Sequence, residues 1–101
     1  MSDQQQLQSL VQELQMVRGQ IQSLTSQMNE ISLTVEALKT QSKDRAVYRA
    51  LGAILLEVED RDVLSKDLKD SKQTIETHLV RLNERETEIR AEYTRVAENL
   101  E

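Results

Sequence analysis

The chain has 101 residues, a net charge of −5 and 31% charged residues, with no Phe, Trp, Cys or Pro, two Gly and two Tyr. This composition excludes a globular core built on aromatic side chains and is typical of long helices and coiled coils. Without Cys it also excludes disulfides and thiolate chemistry. The acidity argues against nucleic acid as a partner. Because neither a transmembrane run nor a signal peptide is evident, we expect a cytoplasmic protein.

The first segment, residues 1–42, carries an uninterrupted heptad repeat. Its apolar residues are spaced alternately three and four apart, with Leu7 at position a and Leu10 at position d. This spacing predicts a helix that packs in a left-handed coiled coil. Ser2 and Gln5 predict a capping box at its start. The repeat consists of Leu7, Leu10, Leu14, Val17, Ile21, Leu24, Met28, Ile31, Val35 and Leu38.

The repeat stops after Leu38, and a different pattern begins in residues 43–60. Ile54, Leu56 and Val58 recur with a period of two, which is typical of a strand. Gly52 lies between two apolar runs, where a turn can use its tolerance of positive φ. We interpret this segment as strand, turn, strand. A continuous helix with a buried Leu-rich patch is the alternative, since Ala and Leu are good helix formers.

A two-stranded hairpin is only marginally stable and leaves both outer edges unpaired. No other part of the chain offers strands, so the sequence predicts that other chains supply them by edge-to-edge addition. The residues assigned to this oligomerisation segment are Val47, Tyr48, Arg49, Leu51, Gly52, Ile54, Leu55, Leu56 and Val58.

The second long segment, residues 61–101, is predicted to be an acidic helix that Asp60 or Asp62 caps. Two helices of about 38 residues would each be about 57 Å long. If they fold back antiparallel, Leu38 lies near Leu64, Ile21 near Leu82 and Leu7 near Val96. The apolar residues of this segment are Leu64, Leu68, Ile75, Leu79, Leu82, Ile89, Tyr93, Val96 and Leu100.

The two chain ends would then form a common tip, the end of the coiled coil away from the hairpin. Fraying there would expose an aliphatic surface suited to binding apolar segments. The alternative is that these are ordinary coiled-coil residues that stay packed. The candidate binding residues are Leu7, Leu10, Val11, Leu14, Tyr93, Val96 and Leu100.

No pattern of residues indicates catalysis. His78 is the only histidine, and the acidic residues lack EF-hand spacing. A Gly-rich phosphate loop is also missing. We therefore expect no enzyme activity, no metal site and no cofactor.

The pattern Arg45-x-x-Tyr48-Arg49-x-x-Gly52-x-x-Leu55, set between two long heptad segments, resembles the β-class subunits of the prefoldin family. The resemblance covers roughly residues 26–95 and includes the run 28–39. It is greater to subunit 2 of the eukaryotic heterohexamer, with the archaeal β subunit as second choice.

The resemblance implies a mainly α fold, with two long helices in an antiparallel coiled coil joined by a β-hairpin that assembles into an intersubunit β-barrel. It also implies a hexamer of α-class and β-class subunits. Its tips would hold non-native clients, actin and tubulin if the source is eukaryotic, and deliver them to a group II chaperonin without ATP. This favours the binding interpretation of the tip.

The rival hypothesis is a structural coiled-coil homodimer or scaffold without chaperone activity. Membrane-surface binding would need a Lys/Arg-rich face that is absent.

Overall fold

A computed structural model describes residues 2–100 as two long helices joined by two short strands. Helix α1 spans Asp3–Thr40, strand β1 Tyr48–Leu51, strand β2 Ile54–Glu57 and helix α2 Arg61–Leu100. The helices pack antiparallel along their length, and the molecule measures 68 × 25 × 16 Å. The mainly α fold with a hairpin between two helices is confirmed, and the continuous-helix alternative is wrong.

Each helix begins at a side-chain cap. At α1 the Ser2 Oγ accepts from the Gln5 N–H at 3.2 Å, and the Gln5 Oε1 accepts from the Ser2 N–H at 3.2 Å. This is the capping box that the sequence predicted. At α2 the Asp60 Oδ1 accepts from the N–H groups of Asp62 and Val63, at 2.9 and 3.2 Å. Asp60 therefore caps α2, and Asp62 lies in its first turn.

The main hydrophobic cluster lies in the tip half of the coiled coil, the half away from the hairpin. Leu7 and Val96 share this cluster, and so do Ile21 and Leu82, in agreement with the antiparallel register expected from the sequence. Ile89 is fully buried at its centre. The buried members are Leu10, Val17, Leu82, Ile89 and Val96, and the half-buried residues packed on them are Leu7, Leu14, Ile21 and Leu24.

The hairpin closes through a two-residue turn. Tyr48 pairs with Glu57 at one end of the ladder, and Leu51 pairs with Ile54 at the other. Gly52 has φ of 60°, and the turn residue that follows it has negative φ. Positive φ at the first turn residue alone is the pattern of a type II′ turn, whose twist matches that of the strands. Gly52 therefore adopts the positive φ that the sequence analysis expected of it in a turn.

Arg61 ties together the two connections that lead into and out of the hairpin. Its Nη1 donates to the Ser42 carbonyl at 3.1 Å, and its Nη2 donates to the Arg45 carbonyl. Both carbonyls belong to the segment between α1 and β1, whereas Arg61 is the first residue of α2. These bonds hold the base of the hairpin at the end of the coiled coil.

Candidate functional site

The hairpin presents its side chains to solvent. All eight strand residues are exposed, and Leu55 is 69% exposed. Of the predicted oligomerisation residues, only Val47 and Val58 are half-buried, at the base of the hairpin. The exposed ones are Tyr48, Arg49, Leu51, Gly52, Ile54, Leu55 and Leu56. The chain thus leaves this apolar segment uncovered.

Both faces of the hairpin are partly apolar. Side chains alternate between faces along a strand, and paired residues share a face. Tyr48 and Leu55 therefore lie on one face, with Ala50 and Glu57. The other face carries Arg49, Leu51, Ile54 and Leu56. Covering one face alone would leave large apolar side chains of the other in water.

Both edges of the hairpin are open. The Val58 N–H donates to the Val47 carbonyl at 2.8 Å, so these two residues form a hydrogen-bonded pair. Because such pairs alternate with non-hydrogen-bonded pairs in an antiparallel ladder, the intervening backbone groups point outward. They are the N–H and C=O groups of Tyr48 and Ala50 on one edge and of Leu55 and Glu57 on the other. Each edge can accept another strand.

At the tip, an apolar groove runs between the two helices, on the side of α1 that carries Val11. Val11 and Tyr93, 38% and 40% exposed, stand across it from one another. One concavity of about 540 Å³ is lined by these two residues with Leu7, Gln8 and Gln12. A second, of about 250 Å³, shares Val11 and Tyr93 and adds Leu14, Arg18, Arg90 and Thr94. We call these two concavities together the tip groove.

The predicted tip residues divide by burial. Leu10 and Val96 are buried in the core, Leu7 and Leu14 are half-buried, and Val11, Tyr93 and Leu100 are exposed. The helices are closed here, and the capping box of α1 lies at the same end. An apolar surface therefore reaches solvent at the tip without fraying of the helices.

The other side of the coiled coil is bridged by polar side chains. Arg85 donates to the Glu13 Oε1 from Nε at 2.8 Å and from Nη2 at 2.6 Å, and to the Glu88 Oε2 at 3.2 Å. The bonds to Glu13, and then the bond to Glu88, raise the pKa of the Arg85 guanidinium above its ordinary value. Gln6 donates to Glu92 at 3.4 Å. This side is closed by polar contacts, whereas the tip groove remains open.

Arg18 and Arg90 are groove residues that the sequence analysis missed. Arg18 lies one heptad after Val11, at the same e position, which would have placed it on the same side of the helix. Arg90 could be placed only through the packing of α2 against α1. No feature of the sequence distinguishes either arginine from the other charged residues of the chain.

Neither a metal site nor a membrane-spanning helix is found among residues 2–100. Within them, no group of three or more His, Asp or Glu is placed to hold a metal ion. No helix of this part of the chain is both long and apolar enough to cross a membrane. His78 is exposed on α2.

The chain matches one protein family over almost its whole length. The family model described as prefoldin subunit matches residues 2–101. The prefoldin subunit beta of Pyrococcus furiosus is 30% identical over 84 residues, covering 83% of this chain and 71% of the relative. The prefoldin subunit beta of Archaeoglobus fulgidus is 27% identical over 103 residues, covering 95% of this chain and 88% of the relative.

Two solved structures have the same fold. The prefoldin beta2 subunit from Thermococcus strain KS-1 superposes with a TM-score of 0.81 at 26% identity, covering 93% of this chain and 99% of that one. The prefoldin beta subunit from the same strain superposes with a TM-score of 0.83 at 23% identity, covering 96% of this chain and 84% of that one. At this identity the match supports the fold alone.

These relatives support the archaeal β subunit, the second choice of the sequence analysis, and do not distinguish subunit 2 of the eukaryotic heterohexamer. Prefoldin is a family of chaperones and not of enzymes, and its members associate with other prefoldin subunits. From the hairpin between two long helices and from these matches, we conclude that the chain belongs to the prefoldin family and is a prefoldin-type chaperone subunit.

Proposed function

We propose that this chain is a subunit of a hexameric, ATP-independent co-chaperone of the cytoplasm, which captures unfolded proteins at its coiled-coil tips and transfers them to a group II chaperonin. The observation that carries the proposal is the tip groove. It exposes Val11 and Tyr93 at the end of a well-packed coiled coil. Apolar residues exposed in a groove are suited to holding the apolar segments that a non-native protein exposes.

The hairpin is the segment that we propose for assembly. Its two open edges and two partly apolar faces favour pairing with the hairpins of other prefoldin subunits in a β-barrel, because closure removes the edges. Burying a large aliphatic side chain such as Leu55 or Ile54 contributes about 1.5–3 kcal/mol. Several such side chains per copy would offset the entropy lost on association.

The shape of the chain supports multivalent capture. The coiled coil extends along a 68 Å axis, with the hairpin at one end and the tip groove at the other. A body assembled from hairpins would therefore hold several tips around one client. Each groove is small, so a single contact is weak, but tethering raises the effective concentration of the others. Weak single contacts also allow transfer to a chaperonin that competes for the client.

The proposal is tested by suppression of aggregation of a chemically denatured protein, without nucleotide, by the assembly that contains this chain. Val11→Ser combined with Tyr93→Ser should reduce suppression several-fold, since avidity depends on each groove. Val80→Ser is the matched control, because Val80 is 57% exposed on α2 and does not line the groove.

Native mass spectrometry of each variant establishes that the assembly is intact. Unchanged suppression by the intact Val11/Tyr93 variant would contradict capture at the groove. It would favour the alternative of a structural coiled-coil scaffold. The parallel form of that scaffold requires a helix or loop over residues 46–58, where the chain has two strands.

A further inference from the structure

We infer that the tip groove selects among client segments by charge, preferring an apolar residue that lies about three residues of extended chain away from an acidic one. This inference rests on the proposed function and specifies the class of client that the groove takes. It starts from the two charged residues that line the groove, Arg18 and Arg90, which are both basic. The chain as a whole carries a net charge of −5.

The apolar and basic parts of the groove are separated by a defined length. Val11 and Arg18 are seven residues apart on α1. At 1.5 Å per residue this is about 10 Å along the helix axis. An extended client chain covers this distance in about three residues, since each spans about 3.3 Å. An apolar client side chain seated between Val11 and Tyr93 would thus place a residue three positions away beside the arginines.

The two arginines are only partly neutralised within the chain. Arg18 Nε lies 3.9 Å from Glu86 Oε2, and Arg90 Nη1 lies 3.9 Å from Glu86 Oε1. One carboxylate is thus shared by two guanidinium groups, and both contacts are long. The side chains of Arg18 and Arg90 are 55% and 65% exposed, whereas that of Glu86 is 23% exposed. A positive charge therefore remains accessible at this end of the groove.

Two acidic residues of the tip half, Glu13 and Glu92, are held on the other side of the coiled coil and do not cancel that charge. Glu13 lies on the other side of α1, where it accepts two bonds from Arg85. Glu92 lies on that same side, in contact with Gln6. A client carboxylate at the groove would meet guanidinium groups, which bind carboxylates with directed, charge-assisted hydrogen bonds. A client Lys at that position would be repelled.

The test uses three photo-crosslinking peptides that share one apolar anchor and differ three residues later, where they carry Glu, Gln or Lys. Each is incubated with the assembly that contains the full chain, and its yield of crosslinks to this chain is measured by mass spectrometry. Because the pairs are exposed, we expect the Glu peptide to exceed the Gln peptide about three- to fivefold at low salt. The ratio should approach one in 1 M salt, where the Debye length is about 3 Å.

Variants with opposite expected signs separate charge selection from loss of structure. Arg18→Gln with Arg90→Gln should bring the Glu/Gln ratio to about one. Glu86→Gln should raise the ratio, because it frees both arginines. Arg95→Gln is the control: Arg95 contacts Glu92 and does not line the groove, so the ratio should not change.

Equal crosslinking of the Glu and Gln peptides at low salt would overturn charge selection and leave capture at the groove standing. A change in the same direction for Glu86→Gln and for the double arginine variant would also overturn it. If no peptide crosslinks to residues near Val11 or Tyr93, both this inference and the proposed function are wrong.

Discussion

The hairpin and the tip half of the coiled coil are both rich in aliphatic residues, but they bury them to very different extents. At the tip, α2 places Ile89 against residues of α1, and Ile89 is fully buried. In the hairpin Leu55 is 69% exposed, although β1 and β2 are paired along their whole length. A helix pair can therefore bury its apolar faces within one chain, whereas a two-stranded hairpin cannot.

Truncating a buried side chain in the tip half of the coiled coil, which is stabilised within the chain, should change stability the most. Ile89→Ala should lower the free energy of unfolding by about 2–5 kcal/mol, because it removes buried methyl groups and leaves a cavity. Urea unfolding followed by far-UV circular dichroism measures the change. Val80→Ala, at a residue that is 57% exposed on the same helix, should stay within about 0.5 kcal/mol of the parent chain.

Equal destabilisation by Ile89→Ala and Val80→Ala would contradict this difference between the tip half and the hairpin. It would mean that the helix surface around Val80 is as important to stability as the core around Ile89, and that the tip half is not stabilised from within.

A smaller effect is expected from the two glycines, one in each region. Gly52 has φ of 60° in the hairpin turn, and Gly19 lies on the exposed surface of α1. A Cβ would meet nothing within 4 Å at either site, so only the backbone decides. Gly52→Ala should destabilise by about 1–3 kcal/mol, the cost of a sparsely populated positive-φ conformation for an L-residue. Gly19→Ala should stabilise by about 0.5–1 kcal/mol through helix propensity.

Thermal unfolding of the assembly with each variant gives the two signs in one assay. A stabilising Gly52→Ala would show that the turn does not need positive φ in the assembled protein, and that the hairpin changes its backbone on association.

The sequence was sufficient where structure depends on local or periodic patterns. The heptad spacing gave the helices and placed Ile21 with Leu82, because a period close to that of the helix fixes which residues share a face. The capping box and the Gly52 turn follow from local chemistry. The sequence could not decide whether Asp60 or Asp62 caps α2, because either carboxylate near the start of a helix can act as an N-cap until the backbone is placed.

The tip groove could be predicted only in part. The sequence identified Val11 as an apolar residue of the tip. It could not place Arg18 and Arg90 in the same concavity, because that depends on how α2 is rotated about its own axis against α1. Steps of seven residues in the apolar pattern of α2 leave that rotation undefined in the sequence. The burial of Leu10 and Val96 agrees with their places in the apolar stripes of the two helices, but the sequence left open whether the tip is frayed or packed. In the structure a cap and a packed cluster hold the helices closed.

We propose that strands of other chains complete the hairpin at both of its edges. Amide hydrogen exchange of the assembly, read by mass spectrometry with fragmentation that distinguishes single amides, tests it most directly. We predict slow exchange at Tyr48, Ala50, Leu55 and Glu57, whose N–H groups point away from the hairpin. Protection of the Val58 amide, bonded to Val47 within the chain, together with free exchange at those four positions would contradict the account.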